Sequence, residues 1–232
     1  MLFLHEVHEV RGRAEDEFEA AYRDSWMPAL AAGDDARLLW FLHHAHGSGP
    51  AYHFVTITAV RDGAAWERLA RRVHDGDLTD WARRLDELRH DLAAKILVPV
   101  SWSPMHDVDF AAVPTTAADH GLSIYMEDTG WPEAAVEDYT AFWEKSYYEP
   151  MRERAGSLLD IQAVFRVAHG TGRRKEAVLM QKVTDHDGLL RLLTTEVPGA
   201  YRQPGTFMYE ALAYRDRWES KLLRTSAWSP LY

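Results

Sequence analysis

The sequence contains no cysteine, which excludes disulfide bonds, thiolate nucleophiles and cysteine-ligated metals. It also lacks an uninterrupted apolar run of the ~20 residues needed to span a bilayer. Met1 leads directly into the apolar–polar run 2–10, without the basic and hydrophobic regions of a signal peptide. We therefore expect a cytoplasmic protein with no membrane partner.

Basic residues are fewer than acidic ones and are dispersed along the chain. There are 26 Lys and Arg against 36 Asp and Glu, giving a net charge of −10. Such a balance does not suit a surface that follows a phosphate backbone, so no nucleic-acid partner is expected. Motifs for phosphate binding, dinucleotide binding, serine hydrolysis and zinc proteolysis are also missing from the sequence. Function must therefore be sought in the fold and in its polar positions.

An internal repeat organises the chain. The segment HGSG at 46–49 returns as HGTG at 169–172, each between two apolar runs typical of strands. Gly and Ser or Thr supply the positive φ angle and the side-chain hydrogen bonds of a hairpin turn. Three further segments recur in the same order: 24–28 as 145–150, 95–97 as 221–223, and 100–105 as 225–231. The sequence therefore predicts two copies of one domain.

Each copy is predicted to run strand, helix, strand, strand, helix, strand. This order is typical of a ferredoxin-like α+β unit, in which helices cover one face of an antiparallel sheet. We assign residues 1–105 to the first repeat, 106–121 to a linker and 122–232 to the second repeat. Period-2 alternation in the first strand places Leu2, Leu4, Glu6 and His8 on one face. Helices are predicted at 14–30, 63–73, 78–92, 133–155, 188–195 and 206–218, and closing strands at 95–102 and 221–228.

This element order, the long first helix ending in an aromatic-Pro segment and the Trp-bearing helix before the last strand resemble the dimeric α+β barrel superfamily, in particular its NIPSNAP-like branch. The resemblance implies two tandem ferredoxin-like units that form the barrel within one chain, with a ligand cavity between sheet and helices. The superfamily includes polyketide cyclases and antibiotic-biosynthesis monooxygenases.

The resemblance therefore implies a cofactor-independent enzyme of secondary metabolism. It would act by acid–base chemistry, such as cyclisation, isomerisation or oxygenation, on a hydrophobic oxygenated molecule that is polyketide-like or aromatic. The alternatives are a non-catalytic small-molecule binding protein and a NIPSNAP-like interaction module. The outer faces of the helices could also form the interface of a homo-oligomer.

Candidate site residues are polar groups in otherwise apolar strands, where burial is costly unless the group is paired, solvated or lining a cavity. The carboxylate and imidazole groups are candidate acids and bases, whereas hydroxyl and guanidinium groups could hold an enolate or phenolate. The predicted catalytic residues are Glu6, His8 and His43, and the predicted binding residues are Tyr125, Glu127, Arg166 and Arg224.

Structural roles compete with each of these assignments. The alignment of the halves pairs Glu6 with Glu127, Leu4 with Tyr125, and His43 with Arg166. A duplicated carboxylate could cap a helix or pair with an arginine, and a lone strand histidine is often a hydrogen-bonded structural residue. Either arginine could instead form an ion pair with Glu127 or with the neighbouring Asp128.

A metal site is suggested by His43, His44 and His46, because imidazole binds zinc, copper and iron. His44 and His46 project from the same strand face, but a third ligand is not evident nearby. His46 also recurs as His169 in the second turn. We therefore expect no metal. Some tandem members of the superfamily bind haem, but no axial-ligand motif is matched here. The prediction is that no cofactor is bound, with haem as the alternative.

Overall fold

The strands and helices follow one another in the order that the sequence predicts for two repeats. The computed structural model describes residues 1–154, 156–173 and 175–232. The strands are β1 (Leu2–Val10), β2 (Ala36–His44), β3 (His53–Val60), β4 (Arg89–Pro99), β5 (Ile124–Trp131), β6 (Leu159–Val167), β7 (Ala177–Val183) and β8 (Arg217–Thr225). The α-helices are α1 (Glu15–Ala21), α2 (Met27–Ala31), α3 (Gly63–Asp75), α4 (Thr79–Leu88), α5 (Val136–Trp143), α6 (Glu149–Glu153), α7 (His186–Thr194) and α8 (Phe207–Glu210).

The chain forms two compact units, each with a sheet of ferredoxin-like order. Unit 1 comprises Met1–Val98, Asp107–Ile124 and Leu222–Tyr232, and unit 2 comprises Pro99–His106 and Tyr125–Lys221. The strand order is β4-β1-β3-β2 in unit 1, where the last residues of β8 pair with β2. In unit 2 the order is β5-β7-β6, and the first residues of β8 belong to this unit. The predicted α+β class with two tandem ferredoxin-like repeats is confirmed.

The two hairpin turns are built alike, as the repeated motif predicts. Gly47 and Gly170 have positive φ angles of 81° and 84°. The Ser48 hydroxyl group donates to the Ala45 carbonyl at 2.7 Å, and the Thr171 hydroxyl group donates to the Ala168 carbonyl at 3.0 Å. The glycine relieves the backbone strain, and the hydroxyl group satisfies a carbonyl at the end of the strand.

The first helix of each unit contains a π-helical segment, which the sequence analysis did not predict. These segments are Tyr22–Trp26 and Glu144–Tyr148, each followed by a proline two residues into the next α-helix. The predicted helix 133–155 is therefore divided into α5, the π-helical segment and α6, and its predicted last residue lies outside the described residues.

Two predicted helices are too long. The helix expected at 78–92 ends at Leu88, because Leu92 pairs with His8 of β1 and the chain is already extended at Arg89. The helix expected at 206–218 contains only α8 and a short 3-10 turn before β8 begins. In both places strand pairing outweighs the helical periodicity of the sequence.

The face of β1 that carries Leu2, Leu4, Glu6 and His8 lies toward the helices. Leu2 packs against the core of unit 1, which includes Phe18, Tyr22, Phe41 and Phe54. His8 is fully buried and lies 5.3 Å from Phe18 between ring centroids. This side of the sheet carries the polar groups described below.

Candidate functional site

Unit 1 contains a cavity of about 170 Å³ lined by strands β1, β3 and β4 and by the helices. The wall is mostly apolar and includes the indole rings of Trp26 and Trp66. Its polar members are Glu6, Tyr22, Thr58, His74 and Arg89. A cavity of ~150 Å³ can hold a benzene molecule, so the volume suits one aromatic ring.

Glu6 places a carboxyl group in this wall. Burial raises its pKa, while the charge of Arg89 and a hydrogen bond from Thr56 lower it to a smaller extent. The Thr56 hydroxyl group lies 3.4 Å from Glu6 Oε2. A carboxyl group with a raised pKa in an apolar cavity has the properties of a general acid or base.

His8 is connected to Glu6 through Thr56 rather than directly. Its Nε2 lies 3.0 Å from the Thr56 hydroxyl group, and its Nδ1 lies 2.8 Å from Arg89 Nη1. Burial and the neighbouring charge of Arg89 hold the pKa of His8 well below its ordinary value. His8 is therefore neutral near pH 7.

The direction of each hydrogen bond between Arg89 and Glu6 follows from the guanidinium group of Arg89. A guanidinium group only donates, so Nδ1 of His8 accepts and Nε2 carries the ring proton. Nε2–H then donates to Thr56, whose own hydrogen is left for Glu6. Tyr22, with its hydroxyl oxygen 3.4 Å from that of Thr56, is the second donor to Thr56. This series of hydrogen bonds ends at one oxygen of Glu6 and stabilises the ionised form of Glu6.

Arg89 is itself held by a carboxylate on α4. Its Nε donates to Asp86 Oδ1 at 2.9 Å, and its Nη2 contacts the same oxygen. Arg89, Thr56 and Tyr22 are not among the site residues predicted from the sequence, and Arg89 falls inside the helix predicted at 78–92. The register β1–β3 places Glu6 opposite Thr56, and that pairing was not available from periodicity alone.

His43 belongs to a separate network in unit 1. Its Nε2 lies 2.8 Å from the Ser226 hydroxyl group and 3.1 Å from Glu19 Oε2. Trp228 Nε1 donates to the other oxygen of Glu19 at 2.7 Å. Hydrogen bonds from His43, Ser226 and Trp228 lower the pKa of Glu19 to about 2, against the effect of its burial. The network ties α1 to the C-terminal segment, and a catalytic role for His43 stays a prediction.

The predicted binding residues are not brought into the unit 1 cavity. Glu127 is buried and lies 3.5 Å from Lys221 Nζ, and Tyr125 is buried on the same strand, β5. Arg166 forms an ion pair of 2.6 Å with Glu137 that is largely open to solvent. Arg224 lies on β8 opposite His43. Their roles in ligand binding remain predictions.

The structural counterpart of Glu6 is Asp128, one residue beyond the one that the sequence alignment predicted. In unit 1, Glu6 pairs with Thr56, four residues before Val60. In unit 2, Asp128 pairs with Leu179, four residues before Val183. The two hairpins carry their register shifts at the same place, between Leu38 and Trp40 and between Ile161 and Ala163. The alignment of Glu6 with Glu127 is therefore wrong by one residue, which by strand alternation reverses the face.

The described residues do not form a site for a metal ion, and the unit 1 cavity does not suit haem. Among the described residues, no group of three or more His, Asp or Glu side chains could hold a metal ion. A haem macrocycle is several times larger than the benzene-sized ligand that suits the unit 1 cavity, so the residues there do not fit it. Within the described ranges, no helix is long and apolar enough to cross a membrane.

Comparisons with solved structures show the fold. The chain is similar to a candidate monooxygenase from Lactobacillus acidophilus, with a TM-score of 0.58, 12% identity and coverage of 99% of this chain and 96% of that one. A candidate monooxygenase from Fusobacterium nucleatum gives 0.59 and 11% over 97% and 91%, and an anthrone oxidase-like protein gives 0.59 and 5% over the same shares. No protein-family model and no curated protein matches the sequence. The resemblance to the dimeric α+β barrel superfamily is thereby confirmed at the level of the fold.

Proposed function

We propose that unit 1 is an acid–base site for a hydrophobic, oxygenated molecule about one aromatic ring in size, and that Glu6 exchanges a proton with it. The observation that carries this proposal is a carboxyl group of raised pKa in an apolar cavity, backed by an ordered chain of hydrogen bonds. The name of one structurally similar protein, an anthrone oxidase-like protein, refers to an oxygenated aromatic compound, which is in keeping with this general class of ligand.

The proposed step is the removal of one proton. Ionised Glu6 takes it from a carbon next to a carbonyl group, or from a phenolic hydroxyl group. The C–H or O–H bond breaks, its electron pair remains on the ligand as an enolate or phenolate, and Glu6 becomes neutral. Arg89, in the wall of the same cavity, stabilises the negative charge. This step requires no cofactor.

The other residues of the site position Glu6. Neutral His8 holds the Thr56 hydroxyl group, and Thr56 directs its hydrogen at one carboxyl oxygen of Glu6. The second oxygen is left for the ligand. Of the two predicted catalytic residues that meet in unit 1, Glu6 is thus the proposed base, whereas His8 acts through Thr56.

Deuterium exchange tests the proposal without knowledge of the natural substrate. The probe is indan-2-one, a ketone with one aromatic ring and enolisable C–H groups, which is incubated with the protein in D₂O and followed by NMR. We expect the wild type to accelerate exchange and Glu6→Gln to reduce the acceleration by about 100-fold or more. Glu9→Gln, an equivalent change at an exposed position of the same strand, should leave the rate unchanged.

Measuring both the binding of the probe and the rate of its deuterium exchange distinguishes binding from acid–base chemistry. If the probe binds but the wild type does not accelerate exchange, unit 1 is a binding site without acid–base chemistry. If Glu6→Gln and Glu9→Gln exchange the probe equally fast, the assignment of Glu6 as the base is wrong.

A further inference from the structure

Unit 2 contains a cavity of its own, of about 190 Å³, which is formed by α6, the beginning of β6 and the segment Pro99–His106. Its wall is mostly apolar, and the lining residues are Pro104, Tyr148, Met151, Arg152, Leu159, Asp160 and Ile161. Leu159 and Ile161 are buried residues of β6. Because every lining residue belongs to unit 2, this cavity shares no residue with the cavity of unit 1.

Two side chains of opposite charge line this cavity without pairing with each other. Within the described ranges of the chain, no ion pair joins Arg152 to Asp160 or to another carboxylate, although Glu149 and Glu153 lie on the same helix. The guanidinium carbon of Arg152 instead lies 5.8 Å from the centroid of the Tyr148 ring. This contact holds the cation over an aromatic wall residue and leaves its N–H groups free to donate.

The charge of Asp160 is also left without a cation. Its Oδ2 accepts a hydrogen bond of 2.7 Å from the amide group of Gln162, which is neutral. In the part of the chain that the structure describes, no basic side chain lies within ion-pair distance of this carboxylate. The cavity therefore offers one positive and one negative group to a ligand.

The two charges together select the class of ligand. A ligand with only an anionic group would be attracted by Arg152 and repelled by Asp160, and a cationic ligand would meet the reverse. A ligand that carries both charges gains both attractions, so it is complementary to the wall. The remaining wall is apolar and has room for somewhat more than a benzene molecule, which occupies a cavity of ~150 Å³.

We infer that this cavity binds an α-amino acid with an apolar side chain of about the size of leucine. Arg152 donates to the carboxylate of the ligand, because a guanidinium group matches two carboxylate oxygens. Asp160 accepts from the ammonium group. The aliphatic side chain of the ligand packs against Met151, Leu159 and Ile161. This site goes beyond the function proposed for unit 1 and does not depend on it.

The test is an NMR titration of the whole protein, labelled with ¹³C at the methionine methyl groups, because Met151 lies in the wall. The signal of Met151 is identified by its loss in Met151→Leu. The probes are L-leucine, 4-methylpentanoate, which lacks the ammonium group, and 3-methylbutylamine, which lacks the carboxylate. We expect L-leucine to shift this signal and each analogue to bind about tenfold more weakly, because each loses a charge-assisted interaction.

Substitution of either charged residue should change the selectivity in its own way. Arg152→Gln should weaken L-leucine by about tenfold and remove its advantage over 3-methylbutylamine. Asp160→Asn should weaken L-leucine to a similar extent and remove its advantage over 4-methylpentanoate. Arg154→Gln and Glu153→Gln are the matched controls, because they change charges at exposed neighbouring positions outside the cavity wall. Both controls should bind L-leucine as the wild type does.

Three results would overturn the inference. The first is a Met151 signal that L-leucine does not shift. The second is binding of both analogues as tight as that of L-leucine, which would show that the two charges are not read together. The third is an equal loss of affinity in Arg152→Gln and Arg154→Gln, which would mean that only the overall charge of the surface matters.

Discussion

The hydroxyl group of Thr56 joins three polar side chains of unit 1. His8 and Tyr22 donate to it, and it donates to Glu6. Thr56→Val should destabilise the protein by about 1–3 kcal/mol, because two buried donors lose their acceptor. It should also raise the pKa of Glu6 further, since the hydrogen bond from Thr56 lowers that pKa. Urea unfolding and a ¹³C NMR titration of Glu6 measure the two effects.

Thr56→Ser is the matched control, because it retains the hydroxyl group and loses one methyl group. Equal stability of the valine and serine variants would show that the hydroxyl group does not hold the network together.

Asp128 should make the stability of the protein depend on pH. Burial raises its folded-state pKa from 3.8 to about 6, against smaller opposite effects of Arg215, Ser220 and Gln181, while Glu127 raises it further. The folded state therefore binds this proton more tightly than the unfolded state. The free energy of unfolding should fall as pH rises through this interval, by about 3 kcal/mol in total.

Asp128→Asn has no proton to lose at this position and should not show that decrease. The measurement is urea unfolding of both proteins at pH values from about 4 to about 7. Parallel curves for the wild type and the variant would mean that the carboxyl group titrates normally in the folded protein.

The π-helical segments set the orientation of the first helix on either side of them. Met27 N–H donates to the Tyr22 carbonyl, and Glu149 N–H to that of Glu144, in both cases five residues back. Such a segment inserts one residue into an α-helix. It allows Phe18 before it, Tyr22 at its first position, and Met27 and Leu30 after it to be buried in the same core.

Deletion of Arg23 should therefore unfold or strongly destabilise unit 1. Without the extra residue, one side of the helix turns by about 100° relative to the other, and large apolar side chains leave the core. We expect a loss of more than about 3 kcal/mol in urea unfolding. Arg23→Ala, which keeps the backbone and removes only a surface ion pair with Asp24, should cost less than about 1 kcal/mol. A deletion variant as stable as Arg23→Ala would contradict this account.

Elements were easier to predict from the sequence than their ends or their register. The turns at Gly47 and Gly170 and the shared face of Glu6 and His8 on β1 depend on local residue types and on alternation, which the sequence displays directly. The start of β4 at Arg89 depends on pairing with β1, and the counterpart of Glu6 depends on the register with β7. Both are tertiary effects, and a shift of one residue changes the face of every side chain.

The two units share a fold but differ in what fills the helix-facing side. Unit 1 has an apolar cavity lined in part by Glu6, whereas unit 2 has a stack of aromatic rings formed by Tyr214, Phe142 and Phe207. Glu6 and His8 were predictable because they are polar residues on a predicted strand face. Arg89, Thr56 and Asp128 were not, because their roles depend on contacts between distant parts of the chain.

The C-terminal segment of the chain should be necessary for unit 1 to fold. Leu223–Thr225 pairs with Leu42–His44, and Trp228 is buried in the core of unit 1. A fragment of residues 1–121 contains the predicted first repeat and linker but not this segment. We expect it to lack the near-ultraviolet circular dichroism and the cooperative urea unfolding of the whole protein, because β2 loses its neighbour and Glu19 loses a donor.

A variant with an internal deletion provides the control for this loss. Thr225 N–H donates to the Ser123 carbonyl, and His120 N–H to the Ala227 carbonyl, so residues 120–123 run antiparallel to 225–227. A linker of about four residues is therefore long enough to join residue 124 to residue 222. Residues 1–124 joined in this way to 222–232 should regain cooperative unfolding. If the fragment 1–121 already unfolds as cooperatively as the deletion variant, the C-terminal strand is dispensable for unit 1. The predicted linker at 106–121 is then a folding boundary.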